Sequence, residues 1–387
     1  MRNRKNIVFG VCGSIAVYKV PDLIRLLVKE GYRVSVVMTE EATRFVSKMV
    51  FESVSNGDVY VSEDLWNRPL LHTDINIHLL VILPATFNII GKISAGIADD
   101  LLTCIVAARR FPIMIAPAMN NRMWENKINM ENIERLKKRG FLIIDPEEGE
   151  LACGEEGKGR LPSIDRLYLE IMRVLEGNGG LKDKKVMITC GRTAEPIDNA
   201  RVITNNSSGL TGIKIAESFF RKGARVTVIH GYTSYEIPYF LNPIRVERTE
   251  DAKDSIIARA EEMDIIIMNM AVSDYKVIER KKDKYKGRYV LLQLEKTPDI
   301  LKYIKDTKAF KVGFSLEEKE IIKRAVKKMK EKNLDMMIAN PSHCAGKDYI
   351  EGYFIYKDGR VEEFLQMPKE KFARAFVEKV EKEYARG

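Results

Sequence analysis

The sequence is poor in the residues that staple or span. Its 387 residues hold five cysteines, at positions 12, 104, 153, 190 and 344. No two have metal-ligand spacing, and an odd count does not suit a disulfide framework. The chain therefore reads as a cytoplasmic protein in a reducing compartment. No run of about 18 uncharged apolar residues occurs, which argues against a membrane-spanning helix. The start, Met1-Arg2-Asn3-Arg4-Lys5, leads straight into a strand pattern without a cleavage-type region, so no secretory signal is expected. Histidine occurs four times and tryptophan twice. Runs of one charge sign are missing too. The net charge of +9 suits anionic ligands, but Lys281-Lys282-Asp283-Lys284 and Lys327-Lys328-Met329-Lys330 lack interleaved aromatics and mix with acids nearby. They read as solvated surface, with no nucleic-acid partner and no membrane partner expected.

What is present is a regular alternation of continuous apolar runs with helical patterns. The runs Asn6 to Val11, Arg33 to Met38, Leu79 to Leu83, Phe111 to Ala116 and Phe141 to Ile144 fill the first half. A helix is predicted from about Ala16 to Glu30. Strands apolar throughout imply a parallel sheet covered on both faces. Gly and Asn cluster at 176–180, the best linker candidate. A second series follows: Val186 to Thr189, Arg225 to Ile229, Asp264 to Met268, Lys311 to Phe314 and Asp335 to Ile338. Tyr353 to Tyr356, the turn Lys357-Asp358-Gly359 and Arg360 to Phe364 read as a hairpin. The fold class is α/β, with two tandem Rossmann-like parallel-sheet domains, expected at 1–180 and 181–387.

In such sheets ligands bind beyond the carboxyl ends of the strands, and the polar peptides of the first half sit there. Gly10-Val11-Cys12-Gly13-Ser14-Ile15-Ala16 joins the first strand to the first helix, placing small residues and backbone N–H groups at a helix start. It lacks the full dinucleotide fingerprint, which favours one phosphate over a pyrophosphate. Taken alone, a tight turn explains it equally well. Thr39 ends the second strand. Leu83-Pro84-Ala85-Thr86-Phe87-Asn88 ends the third, and Pro117-Ala118-Met119-Asn120-Asn121-Arg122-Met123-Trp124 ends the fourth. Leu151 to Pro162 reads as a glycine-rich flap carrying Cys153.

Together Gly13-Ser14-Ile15, His72, Pro84-Ala85-Thr86, Pro117 to Trp124 and the Cys153 flap resemble the phosphopantothenoylcysteine decarboxylases, among the flavin-containing cysteine decarboxylases. The resemblance implies a flavodoxin-like FMN domain. It implies FMN contacts at Gly13, Ser14, Ile15, Thr39, Pro84, Ala85, Thr86 and Asn88, and substrate contacts at Ala118, Met119 and Asn120. In that chemistry the substrate's CH2–SH arm is oxidised to a thioaldehyde, which accepts the electrons left by CO2, and the resulting enethiol is reduced again. His72 is implied as acid/base, Asn120 as the holder of the substrate carboxylate, and Cys153 as the proton donor to the enethiol. The stretch from His72 to the next strand is shorter than in the family. His78, nearer that strand, is the alternative histidine and is expected to pack there.

The second half carries Gly191 to Asp198, Thr204-Asn205-Asn206-Ser207-Ser208-Gly209, Ala271-Val272-Ser273-Asp274-Tyr275, Lys284-Tyr285-Lys286, Thr297 to Leu301, Gly313-Phe314-Ser315 and Lys332 to Asp335. This ordered set resembles the phosphopantothenate–cysteine ligases. It implies activation of a carboxylate by a nucleoside triphosphate with Mg2+, then displacement of the nucleotide by the amine of cysteine. By that resemblance Lys284 stabilises the phosphoryl step and Asn205 handles the acyl intermediate. Asp274, Pro298, Asp299, Ile300, Leu301, Phe314, Lys328 and Lys332 border the nucleotide. CTP is favoured and ATP is the alternative, because Arg192 and Leu210 stand where the family has glycine and lysine. The Mg2+ ligands are not identified.

The two resemblances together imply a bifunctional enzyme making 4′-phosphopantetheine for coenzyme A from 4′-phosphopantothenate and cysteine. Family precedent implies a homo-oligomer built from decarboxylase trimers and ligase-domain dimers. Two other readings use the same fold: a non-catalytic flavoprotein regulatory subunit, and another flavin-dependent cysteine decarboxylase. Retention of His72 and Cys153 speaks against the first, and the second domain speaks against the other.

Overall fold

The computed structural model describes residues 5–67, 71–150, 154–281, 283–285 and 288–386. The chain divides into two compact units, Met1–Leu175 and Glu176–Gly387. In the first, strands β1 (Asn6–Val11), β2 (Arg33–Met38), β3 (Val59–Val61), β4 (Leu79–Ala85), β5 (Ile113–Pro117) and β6 (Leu142–Ile143) form one parallel sheet. Its order, β3-β2-β1-β4-β5-β6, puts the topological switch point between β1 and β4. Side chains alternate between the two faces. Ile7, Phe9 and Val11 join one core with Leu79, Val81 and Leu83, while Val8, Leu80 and Ile82 join the other. A strand that must feed two cores reads as an unbroken apolar run, which is why these strands were visible in the sequence.

The predicted helix Ala16 to Glu30 is divided. A 3₁₀ turn, Ile15–Lys19, precedes the α-helix Val20–Lys29, which buries Val20, Leu23, Ile24 and Leu27 along one stripe. Pro21 explains the division. It lacks an N–H and is tolerated only in the first turn of an α-helix, so the α register starts at Val20. A separate antiparallel pair, β7 (Glu147–Glu150) and β8 (Glu156–Arg160), forms the two arms of the expected flap. Cys153 lies outside the described residues.

The second unit is built on β9 (Lys185–Cys190), β10 (Ala194–Pro196), β11 (Val202–Thr204), β12 (Arg225–His230), β13 (Pro243–Arg245), β14 (Ile265–Met268), β15 (Tyr275–Val277), β16 (Leu294–Lys296), β17 (Phe310–Glu317), β18 (Met336–Pro341), β19 (Tyr349–Tyr356) and β20 (Val361–Pro368). The main sheet runs β13-β12-β9-β14-β17-β18-β19-β20. Its first six strands are parallel and repeat the order of the first unit, with the switch point between β9 and β14. The hairpin β19–β20 extends the sheet antiparallel, as Asp358-Gly359 predicted. Gly359 takes φ +92°, and Asp358 Oδ1 accepts from Arg360 N at 3.0 Å. The small pairs β10–β11 and β15–β16 are not legible in the sequence. Each strand is three residues long, too short to show a period.

The C-terminal helix Lys369–Tyr384 buries Phe372, Ala373, Phe376, Val377 and Val380. Phe372 stacks on Phe354 and Phe376 with centroids 5.8 Å apart in each pair.

Candidate functional site

Two adjoining cavities open at the carboxyl ends of β1, β4 and β5. The first, of about 320 Å³, is lined by Gly13, Ser14, Thr39, Thr86, Asn88 and Met119, with Cys12, Glu41, Lys92 and Asp100 among the rest. The second, of about 510 Å³, shares Ser14, Ala118 and Met119 with it and adds Ile15, Tyr18, Asn120 and Arg160. The hydroxyl residues are placed by capping. Ser14, Thr39 and Thr86 each precede a helical turn and accept from its backbone N–H groups, at 3.4, 3.3 and 3.3 Å. Only glycine fits at position 13, because a Cβ there would lie 2.4 Å from Glu41 Cβ. The first cavity thus offers hydroxyls and helix-start amides on one side and the apolar cover of Met119 and Met123 on the other. That donor set suits the phosphate and ring of a flavin mononucleotide. Pro84 and Ala85 do not line either cavity. They shape its floor through the backbone, where Ala85 O accepts from Ala118 N at 3.0 Å.

Cys12, which no motif singled out, sits on the cavity wall. Burial, aided by the charges of Asp100 and Glu41, pushes its thiol far above the ordinary range, so it stays protonated. Lys92 is drawn up by its hydrogen bond to Asp99 at 2.9 Å, and Asp100 lies 3.7 Å away.

Asn120 is half-buried in the wall of the second cavity. Its Oδ1 accepts from Arg122 N at 2.9 Å, which turns the amide NH2 outward. That NH2 donates to Glu155 Oε2 at 3.4 Å, while Arg122 pairs with Glu155 Oε1 at 3.0 Å. Asn120 and Arg122 therefore already present their donors to a carboxylate. Strand β8 lies directly on this loop: Met119 N donates to Gly159 O at 3.0 Å, and a Cβ at Gly159 would lie 2.2 Å from Met119 O. Close backbone approach thus explains the glycine at position 159.

The two histidines separate cleanly. His78 Nδ1 accepts from Asn6 N at 3.0 Å and ties the start of β4 to β1. His72 lies in the short helix Leu71–Asp74, beside the helix Leu101–Ala107. Its Nδ1 is buried without a hydrogen-bond partner among the described residues. It does not line either cavity, so the single chain does not bring His72 together with Asn120.

In the second unit a cavity of about 200 Å³ spans the ends of β14, β17 and β18. It is lined by Asn206 to Thr211, Asn269 to Ala271, Phe314, Asn340 and Lys369, among others. Of the expected nucleotide residues, Phe314 is in this wall. Asn205 sits beside it, its Nδ2 donating to Val272 O at 2.8 Å. The rest form an outer set. Lys328 pairs with buried Glu317 at 2.5 Å, and Lys332 with Asp299 at 3.1 Å. Burial pushes the Glu317 carboxyl up. The hydrogen bonds from Lys328 and Ser315 and the charges of Lys328 and Arg324 outweigh this and hold it below its ordinary range.

Lys284 is exposed on its loop, and that loop is anchored by a residue not assigned a role from sequence. Buried Asp198 accepts from Arg201 and from Tyr285 N at 3.1 Å, and Arg201 in turn donates to Tyr285 O at 2.9 Å. The Arg201 guanidinium, with three backbone N–H groups, holds the Asp198 carboxyl well below the usual range. Asp274 is exposed, and its carbonyl accepts from Thr297 N at 3.0 Å, which sets the start of Thr297 to Leu301. Among the described residues, the one cluster of three potential metal-ligating side chains is His343, Cys344 and Glu351. That nitrogen, sulfur and oxygen set is unlike the oxygen set Mg2+ takes.

Residues 1–176 match the flavoprotein family, and residues 181–384 match the C-terminal domain of the DNA/pantothenate metabolism flavoproteins. The coenzyme A biosynthesis bifunctional protein CoaBC of Borreliella burgdorferi is 36% identical over 97% of this chain and 99% of its own. The protein of the same name from Bacillus subtilis is 37% identical over 95% of each. Among solved structures, the C-terminal domain of a CoaBC protein aligns with a TM-score of 0.47 and 31% identity, over 54% of this chain and all of that one. Both halves of the chain are matched in order and almost end to end, and the chain belongs to the family of coenzyme A biosynthesis bifunctional proteins.

Proposed function

We propose that residues 181–387 ligate 4′-phosphopantothenate to cysteine with a nucleoside triphosphate, CTP favoured, and that residues 1–180 decarboxylate the product to 4′-phosphopantetheine with FMN. The observation that carries the first-unit reading is the Asn120–Arg122 pair, set to receive a carboxylate, with Asn120 in the wall of the cavity that adjoins the one suited to FMN. Bound there, FMN supplies the two-electron acceptor and donor that the thiol arm of the substrate needs. Asn120 holds the substrate carboxylate through its outward NH2. Thr39, Ser14 and Thr86 offer hydroxyls to the cofactor phosphate. Cys153, on the flap whose arms rest on the Asn120 loop, delivers a proton to the enethiol carbon. His72 serves from outside the single-chain cavity, in keeping with a decarboxylase trimer in which a second copy completes the site.

In the ligase unit Lys284 neutralises charge on the phosphoryl group during attack by the substrate carboxylate, releasing pyrophosphate. Asn205 then positions the acyl-nucleotide for the amine of cysteine. Mg2+ enters with the triphosphate, held by its oxygens and water. The enzyme acts in the cytoplasm, with ligase domains paired.

The purified protein, given 4′-phosphopantothenate, cysteine, Mg2+ and CTP or ATP, should release pyrophosphate and CO2 and form 4′-phosphopantetheine. Cys153→Ser should keep pyrophosphate release and lower 4′-phosphopantetheine formation by about 100-fold or more, as loss of a general acid does. If the wild-type protein releases neither pyrophosphate nor CO2 with either nucleotide, the reading fails.

A further inference from the structure

The wall of the ligase cavity holds a lysine with no side-chain partner among the described residues. Lys369 is only 7% exposed, yet its side chain makes no hydrogen bond or ion pair among the described residues. It lines the same cavity as Ser207, Ser208 and Gly209. Burial pushes its ammonium down from the ordinary lysine range. Asp348, the carboxylate whose charge acts on it, does not come within ion-pair distance. Lys369 is also the first residue of the helix Lys369–Tyr384, the positive end of that helix dipole. A buried, unpaired ammonium at such a position is costly on two counts.

A second source of positive potential lines the same cavity. The twelve-residue helix Leu210–Arg221 starts there with Gly209 as its N-cap, and no N-cap side chain satisfies its first amides. Ser208 Oγ reaches Leu210 N only at 3.4 Å. One helix start without a side-chain cap and one buried lysine thus line one cavity of about 200 Å³. Lys369 is held there rigidly, because Phe372 and Phe376 of its own helix pack against Phe314, Phe354 and each other.

We propose that Lys369 and the Ser207–Gly209 start of the helix Leu210–Arg221 form a phosphate-binding subsite of the ligase unit. The inference rests on the ligase reading for its source of phosphate: the polyphosphate of the nucleotide or the 4′-phosphate of the acid substrate. It adds to the reaction a cation that no motif in the sequence marks.

The test measures binding, so it is independent of turnover. Full-length wild type, Lys369→Met and Lys369→Arg are titrated by calorimetry with inorganic tripolyphosphate and, separately, with 4′-phosphopantothenate. Lys369→Met should weaken one probe by about tenfold or more, the loss of a charge-assisted contact, and Lys369→Arg should restore part of it. The affected probe identifies the source. A folded Lys369→Met that binds both probes as wild type does overturns the proposal. Should Lys369→Met not fold, the wild type decides: saturating probe must slow amine labelling of Lys369, read by mass spectrometry, and an unchanged rate overturns the proposal. Failure of the ligase reading shows elsewhere, as absent pyrophosphate release.

Discussion

The two units place one sheet order, β3-β2-β1-β4-β5-β6 and its repeat from β13 to β18, under two different chemistries. Each builds its cavity beyond the carboxyl ends of the central strands. What differs is how charge is managed. The first unit lines its cavity with capping hydroxyls and a protonated thiol and keeps Lys92 in the same wall as Asp100 and Glu41; the carboxylate partner of Asn120, Glu155, lies just before β8 of the flap. Among the described residues, the second has one cation in its cavity wall, Lys369, and holds its other expected cations outside that wall in pairs: Lys328 with Glu317 and Lys332 with Asp299. A site for phosphoryl chemistry needs cations, and those must be kept in place by carboxylates between turnovers. The shared sheet supplies the place, and the segments outside it supply the chemistry.

The sharpest way to break this comparison is to remove one unit's charge and read the other unit's activity. Lys284→Gln should lower pyrophosphate release by about 100-fold or more, while decarboxylation of supplied 4′-phosphopantothenoylcysteine and the flavin spectrum stay as in wild type. An equal loss in both activities would show that Lys284 does not belong to the ligase chemistry alone.

The complementary cut is in the flap. Gly159→Val puts a side chain where only 2.2 Å separates a Cβ from Met119 O, so β8 must leave the Asn120 loop. Decarboxylation should fall by about tenfold or more, as misplaced catalytic groups do, with ligation unchanged. Retained decarboxylation would detach the flap from the Asn120 loop as a working unit.

The smallest effect sharpens the contrast in charge. Asp198 is held below its ordinary pKa, chiefly by Arg201, so its contribution to stability is present above the unfolded carboxylate value of about 3.9. That contribution is lost as pH falls through the lower folded value. Asp198→Asn should therefore destabilise the ligase unit near neutral pH and flatten its loss of stability on the acid side. The unfolding transition of the first unit should keep its pH dependence. A wild-type acid slope in Asp198→Asn, followed by calorimetry from pH 7 down to 3, would remove Asp198 from the account.

Much of the site was readable because its residues lie next to unmistakable strands. Gly13, Ser14, Thr86 and Asn120 follow apolar runs that two cores demand, so their place at the strand ends follows from the sequence. The choice of His72 over His78 was helped by proximity to β4, and the hydrogen bond from Asn6 N to His78 gives that packing its physical form. Asp198 was visible within a motif but without a role, because its partner Tyr285 lies 87 residues further along the chain. Pro21 was visible too, yet its effect on the first helix depended on where the α register began.

The sequence by itself determined the two parallel sheets, the peptides at their edges and the family, because continuous apolar strands and short polar motifs are local patterns. Only the tertiary structure decided which charges stand free. Whether a lysine is solvated, paired or buried alone depends on residues that are distant in the chain: Lys328 meets Glu317 across a helix and a strand, Lys332 meets Asp299 from another segment, and the Lys369 side chain, in the cavity wall, meets no partner among the described residues. Electrostatic energy depends on distance and burial in space, and composition records neither.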